Sequence, residues 1–272
     1  MASTPAAAAE IAAAIDGPDG YSLGVRLGPA ELACVRRHVE TQWLDGLARH
    51  LQSERLAAFA QRGLARYHEL AGTIEHATLW PKAARILPPA AVAELRSLPF
   101  FCTLEAAFGP IEISDEDAVG HEEIYWRLVR PGEPADMGPL HADRWFWDLG
   151  HGTTPPDRRR VKVWVAVISE PGRNGLRLVP GSQAQEWRYH GVLKQGKMKP
   201  HLDEDEATLG AILVPTQPGD AVVFHDSLLH GGAPNQGSTT RVSFEMTLFV
   251  KPKNHRSHES DGTYTTNGTY GS

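Results

Sequence analysis

Cysteine is scarce: the 272 residues include two, Cys34 and Cys102. Two thiols in so long a chain make no disulfide framework, which points to a reducing, cytoplasmic setting. No stretch approaches the ~18 uninterrupted apolar residues that a membrane-spanning helix needs. The start, Met1 to Ala14, is Ala-rich but has no basic segment and contains Glu10, unlike a secretory leader. Basic charge is not in excess either. Lys and Arg number 27 against 33 Asp and Glu, for a formal net charge of −6. No field is expected that would gather nucleic-acid phosphates. The nearest basic run, Arg158-Arg159-Arg160, reads as a solvated loop edge before a strand. No internal repeat is visible.

What is present is an ordinary globular composition, 41% hydrophobic and 22% charged, long enough for one domain with a sizeable core. Residues 1–20 are small and polar-interrupted and suggest a flexible, weakly helical start. From Pro29 to about Leu70, Leu32, Val35, Val39, Trp43 and Leu47 recur at helical steps. Pro88-Pro89 opens a second helical stretch through Leu95. The region 21–99 is therefore expected to be helical. Beyond Phe100 the character changes to short β-branched and aromatic runs. Candidate strands are Glu123–Val129, Leu140–Trp147, Val161–Ser169, Leu176–Val179, Ala211–Pro215, Ala221–His225 and Arg241–Val250. Arg130-Pro131-Gly132, Pro180-Gly181-Ser182 and Pro218-Gly219-Asp220 mark turns between them. The expected fold is mainly β with flanking helices: a jelly-roll core over 100–250 behind a helical N-terminal region, all one domain over 21–250. The Ser/Thr/Gly-rich stretch 251–272 is expected to be a flexible tail.

The chemistry starts at His141-Ala142-Asp143. On a strand, positions i and i+2 share a face, so an imidazole and a carboxylate would enter one cavity. A second histidine would complete a two-histidine, one-carboxylate site for iron(II), with positions left open for co-substrate and oxygen. His230 fits best: it follows the strand ending at His225 and precedes Gly231-Gly232, where a backbone can turn tightly. Arg241 follows eleven residues later and opens the last strand. Its guanidinium could grip the far carboxylate of 2-oxoglutarate by two parallel hydrogen bonds. Taken singly, each piece has an ordinary reading as a strand-surface pair, a turn histidine or a salt-bridged arginine. Their order along the chain favours the site.

The segment from about Tyr125 to Val250 resembles the phytanoyl-CoA dioxygenase family of iron/2-oxoglutarate oxygenases. The matching pieces are Arg130-Pro131-Gly132, His141-Ala142-Asp143, Trp147, Val163-Trp164-Val165-Ala166-Val167, Leu178-Val179-Pro180-Gly181-Ser182, Pro218-Gly219-Asp220, His230 and Arg241. The resemblance implies a double-stranded β-helix core, with iron(II) on His141, Asp143 and His230. It also implies 2-oxoglutarate on Arg241, O2 as oxidant, succinate and CO2 as co-products, and hydroxylation of a C–H bond. Asp143 retains the carboxylate that halogenating relatives replace by a small residue. Gln183 stands where the family often has histidine, and Gly232 where a serine often helps bind the co-substrate.

Alternation along Leu140–Trp147 would turn Trp145 and Trp147 towards the metal as a substrate wall, or into barrel packing. Trp126 is weighed as a pocket residue against a core one. The stretch from Val192 to Leu209, with its lysines and Asp203-Glu204-Asp205-Glu206, reads as a solvated loop or as a lid that selects substrate charge. A small-molecule substrate is expected, bulky and partly apolar, from a bacterial specialised pathway. The alternatives are a cupin-like metal protein without oxygenase activity and an inactive relative with a regulatory role. The His-x-His triplet usual in cupins is absent, and the intact ligand set disfavours an inactive relative.

Overall fold

The computed structural model of the protein describes residues 5–194 and 196–252. The expected flexible tail, 251–272, therefore lies almost entirely outside the described residues. Eight helices are described: α1 (Pro5–Ile15), α2 (Pro29–Ala48), α3 (Ser53–Arg62), α4 (Tyr67–Ala71), α5 (His76–Leu79), α6 (Pro89–Arg96), α7 (Pro99–Phe108) and α8 (Asp143–Asp148). Eleven strands accompany them: β1 (Tyr21–Arg26), β2 (Glu112–Ile113), β3 (Tyr125–Val129), β4 (Arg159–Ile168), β5 (Leu176–Leu178), β6 (Tyr189–Lys194), β7 (Lys197–Leu202), β8 (Ile212–Leu213), β9 (Asp220–His225), β10 (His230–Gly232) and β11 (Arg241–Val250). No helix is long and apolar enough to cross a membrane among the described residues.

The larger sheet runs β1-β9-β4-β11-β2, with β3 also paired to β11. The smaller sheet runs β10-β5-β8, and β6 pairs with β7 as a separate hairpin. All pairings are antiparallel. This is the expected jelly-roll core behind a helical N-terminal region. Strand alternation divides the large sheet into two faces. Val161, Val163, Val165 and Val167 of β4 join Val242, Phe244, Met246 and Leu248 of β11 against the helical layer, with Val35, Trp43, Phe100 and Leu104. The opposite face of β4 and β9, with Trp164, Ala166, Val222 and Phe224, packs on Leu176 and Leu178 of the small sheet. On that same inner face, Arg241, Ser243, Glu245 and Thr247 of β11 are all buried. Polar groups withdrawn from water are costly unless partnered, so this inner face is where a site is to be sought.

Four elements differ from the sequence expectation. The start is a packed helix rather than a flexible, weakly helical segment. Ala favours helix, and Ala8, Ile11, Ala12 and Ile15 form one buried stripe at i, i+3, i+4 and i+7. Residues 21–26 form a strand on β9, within the region expected to be helical. Residues 189–194 and 197–202 pair as the β6–β7 hairpin rather than a loop. The expected strand Leu140–Trp147 is reduced to a bridge at His141 followed by α8.

Candidate metal centre

His141 and His230 are paired backbone to backbone. Each amide donates to the other's carbonyl at 2.9 Å, and their rings lie 4.4 Å apart between centroids. Gly231 permits this approach. A side chain there would place its Cβ 2.9 Å from the Pro139 carbonyl oxygen. Asp143 is the first residue of α8, reached by the extended Ala142. It joins the histidines through the start of a helix, not through strand alternation. Its Oδ1 lies 3.8 Å from His141 Nε2 and its Oδ2 3.6 Å from His230 Nε2.

Both rings are oriented from behind. His141 Nδ1 donates to the Pro139 carbonyl at 2.9 Å and His230 Nδ1 to the Leu228 carbonyl at 3.0 Å. That fixes the tautomer and leaves each Nε2 as a free lone pair, the arrangement a metal-binding histidine needs. Burial, with the other imidazole adjacent, pushes His141 down to about 3, and burial likewise lowers His230. Both are neutral near pH 7. Burial alone would raise the Asp143 pKa. The nearby Lys162 ammonium and the two imidazoles outweigh it and hold the group below the usual carboxylate range. Asp143 Oδ2 is buried without a hydrogen-bond partner. A carboxylate facing two aimed imidazole nitrogens, one of its oxygens buried without a hydrogen bond, fits a divalent ion of the iron type. Phe146 stands edge-on to His141 at 5.3 Å and Phe224 lies 4.6 Å from His230, giving the site apolar walls.

Ligand-type atoms also converge at Cys34, His38 and Glu94. Glu94 there is already ion-paired to Arg37 and its side chain is 47% exposed. That cluster is explained as a surface ion pair.

Arg241 is 2% exposed on the inner face. One Nη donates to the Gly175 carbonyl, and the guanidinium lies 5.9 Å over the Trp164 ring. Its Nε is buried without a partner. Burial lowers it to about 10, so it stays charged at neutral pH. A Cβ at Gly232 would lie 3.8 Å from Nη2, which places the guanidinium beside the strand that carries His230. A buried guanidinium with an unpaired donor is suited to a carboxylate. Thr216 Oγ1 and Ser243 Oγ are also buried without partners.

The structure places the three tryptophans in different surroundings. Trp126 faces the helical layer, donates to Gln42 Oε1 at 2.7 Å and packs on Trp80, so it is a core residue. Alternation does not apply to Trp145 and Trp147, because they lie on α8. Trp145 stacks on Tyr189 at 4.5 Å. Trp147 packs on Phe249 at 5.6 Å, with the Arg160 guanidinium 5.1 Å from its ring. The aromatic beside His141 is Phe146. Gln183, in place of the family histidine, donates to the Gly17 and Pro18 carbonyls and so anchors the turn after α1.

Sequence reasoning missed a buried ionic relay next to the ligands. Lys162 Nζ lies 3.4 Å from Asp143 Oδ2 and 3.4 Å from the Tyr125 hydroxyl. Tyr125 donates to Glu245 Oε2 at 2.9 Å, and Glu245 Oε1 is 3.0 Å from Arg127 Nε. The available signal was that Tyr125, Arg127, Lys162 and Glu245 all fall on the inner side of alternating strands.

The profile of the phytanoyl-CoA dioxygenase family (PhyH) matches residues 32–243. No curated protein matches the sequence. Among solved structures, the non-heme monooxygenase ThoJ is 18% identical, with a TM-score of 0.55, covering 90% of this chain and 78% of its own. AviO1 from Streptomyces viridochromogenes Tue57 is 19% identical, with a TM-score of 0.52, covering 90% and 96%. The epimerase SnoN, in complex with Fe3+, alpha-ketoglutarate and nogalamycin RO, is 17% identical, with a TM-score of 0.53, covering 92% and 88%. At these identities the likeness is one of fold. The family match covers most of the chain, including the two histidines, the carboxylate and the buried arginine. The chain belongs to the phytanoyl-CoA dioxygenase family of iron- and 2-oxoglutarate-dependent oxygenases.

Proposed function

We propose that the enzyme hydroxylates a C–H bond of a small molecule in a bacterial biosynthetic pathway. His141, Asp143 and His230 would hold iron(II), and Arg241 the co-substrate. The observation that carries this reading is the convergence of two backbone-oriented imidazoles on the Asp143 carboxylate. Iron(II) with bound 2-oxoglutarate supplies dioxygen activation: one oxygen atom goes to succinate as CO2 leaves, the other to the substrate carbon.

The chain's own residues do the rest. His141 and His230 present neutral Nε2 lone pairs, with no proton to displace at pH 7. Lys162 keeps Asp143 ionised. Arg241 offers its free Nε to the distal carboxylate of 2-oxoglutarate. The Ser243 hydroxyl, two residues on and on the same face, takes the part of the serine that Gly232 replaces. Phe146 and Phe224 keep water from the ligand side. Trp147 supports the substrate wall by backing Phe249. Phe249 lines a cleft of about 670 Å³ together with Leu149, His151, Met198 and Asp117. Trp145 holds the β6–β7 hairpin through Tyr189. The names of ThoJ and SnoN, a monooxygenase and an epimerase crystallised with nogalamycin RO, support a natural-product substrate.

The test is turnover. With iron(II), 2-oxoglutarate and oxygen, the protein is expected to release succinate, and His141→Ala is expected to release none. The organic product should gain one oxygen atom. An unchanged mass would point instead to epimerisation. Absence of both iron binding and succinate release in the unmutated protein would overturn the reading.

A further inference from the structure

The run Arg158-Arg159-Arg160 reads in sequence as a solvated edge, and Arg158 keeps to that: it pairs with the exposed Glu112 and Asp157. Arg160 does not. It shares the inner face of β4 with Lys162 and Trp164, two and four residues on, and its side chain is 15% exposed. Its Nε and one Nη donate to Asp226 Oδ2 at 2.9 and 2.7 Å. Its other Nη donates to the Thr154 hydroxyl, and the guanidinium lies 5.1 Å over the Trp147 ring. The Asp226 side chain is equally withdrawn, so this charge-assisted pair is shielded from water.

Asp226 in turn touches both segments that carry ligands. It follows β9 and opens the turn that leads into His230, and Leu228 within that turn supplies the carbonyl that orients the His230 ring. The first amides of a helix have no partner inside it. Ala142, which precedes α8, has no side chain to cap them. The Asp226 carbonyl takes the place of a cap: the amide of Arg144, the residue after Asp143, donates to it at 2.9 Å. α8 has six residues, too few to stay helical without tertiary support. Arg160 grips it at two points, near its start through Asp226 and near its end through Trp147. The grip has a firm base, because β4 is paired on both sides, to β9 and to β11.

We propose that Arg160 is a positioning residue for the metal centre. Anchored in β4, it sets the placement of α8 through Asp226 and Trp147, and so holds the Asp143 carboxylate against the two imidazoles. The inference rests on the metal-centre reading and extends it to a residue that is not a ligand. Lysine cannot take over fully, because one ammonium does not donate to Asp226 and Thr154 while lying flat on an indole. Partners that hold ligands from behind are worth about 10–100-fold in metal affinity.

The experiment uses the full chain, unmutated and as Arg160→Gln, Arg160→Lys and Asp226→Asn. In the metal-free proteins, hydrogen exchange followed by NMR should show the Arg144 amide losing protection at least tenfold in Arg160→Gln, while the amides of α2 keep theirs. Calorimetric titration with Ni(II) should show affinity weaker by about 10–100-fold in Arg160→Gln and Asp226→Asn, with Arg160→Lys intermediate. The Co(II)-loaded forms of the two weaker variants should differ from the unmutated form in their d–d absorption. Ile15→Ala removes packing in α1 and so lowers stability; it should leave Ni(II) affinity within twofold, which separates positioning from general destabilisation. Unchanged exchange at Arg144, or Ni(II) affinity in Arg160→Gln within twofold of the unmutated chain, overturns the proposal. If the unmutated chain binds no Ni(II), the metal reading falls, while the Arg144 exchange rates still decide whether Arg160 places α8.

Discussion

A buried histidine that resists protonation leaves a mark on stability. His141 is lowered to about 3 from an ordinary 6.5. Between these values the unfolded chain takes a proton that the folded chain refuses. The contribution is therefore complete above about pH 6.5 and is lost as pH falls towards 3. Urea unfolding of the metal-free protein should show stability declining across that window. His141→Gln should flatten the decline, and equal slopes would contradict the burial argument. Arg241 carries the second prediction at this scale. Removing one member of a buried charge pair costs about 2–5 kcal/mol, or roughly 30-fold and upward in affinity. Arg241→Ala should weaken 2-oxoglutarate binding by that much, with metal affinity unchanged. Arg241→Lys should recover part of it, because an ammonium lacks the planar fork. The convergence of His141, Asp143 and His230 was legible in sequence because a divalent-metal site restricts residue type, order and spacing. Lys162, Arg127 and Glu245 were not, because a charged residue within a strand reads as solvent-facing until a closed barrel makes that face internal.

The elements differ in how openly they announced themselves. β4, β9 and β11 were legible from their β-branched and aromatic residues, which alternate with polar ones along β11. α8 was not. Over six residues, helical and strand periods cannot be separated, and the His-x-Asp spacing favoured the strand. α1 was hidden by its alanines, which blur the stripe that Ile11 and Ile15 complete. Ile15 is 0% exposed, so Ile15→Ala should cost about 2–5 kcal/mol in chemical denaturation. A cost near zero would return the first residues to a frayed start. The hairpin was obscured by its lysines, which suggested a solvated loop. Pairing from Tyr189↔Leu202 to Lys194↔Lys197, and the Trp145–Tyr189 stack, hold it in place.

Across the whole molecule, the helical layer supports one face of the large sheet and leaves the other face for chemistry. The ligands come from separate places: His141 from a bridge, Asp143 from a helix start and His230 from the small sheet. An ion that joins them ties the start of α8 to the small sheet only in the folded state. It should therefore stabilise the protein by mass action, by about 2.7 kcal/mol at a free concentration of 100 times Kd. Ni(II) should raise the melting temperature of the unmutated protein and leave Asp143→Ala unchanged. The most direct measurement is an anomalous-scattering map at the iron edge, from crystals grown without oxygen in iron(II) and 2-oxoglutarate. The account predicts one peak, bonded to His141 Nε2, His230 Nε2 and an Asp143 carboxylate oxygen, with 2-oxoglutarate between it and Arg241. A peak at Cys34, His38 and Glu94 instead, or 2-oxoglutarate bound away from Arg241, would contradict it.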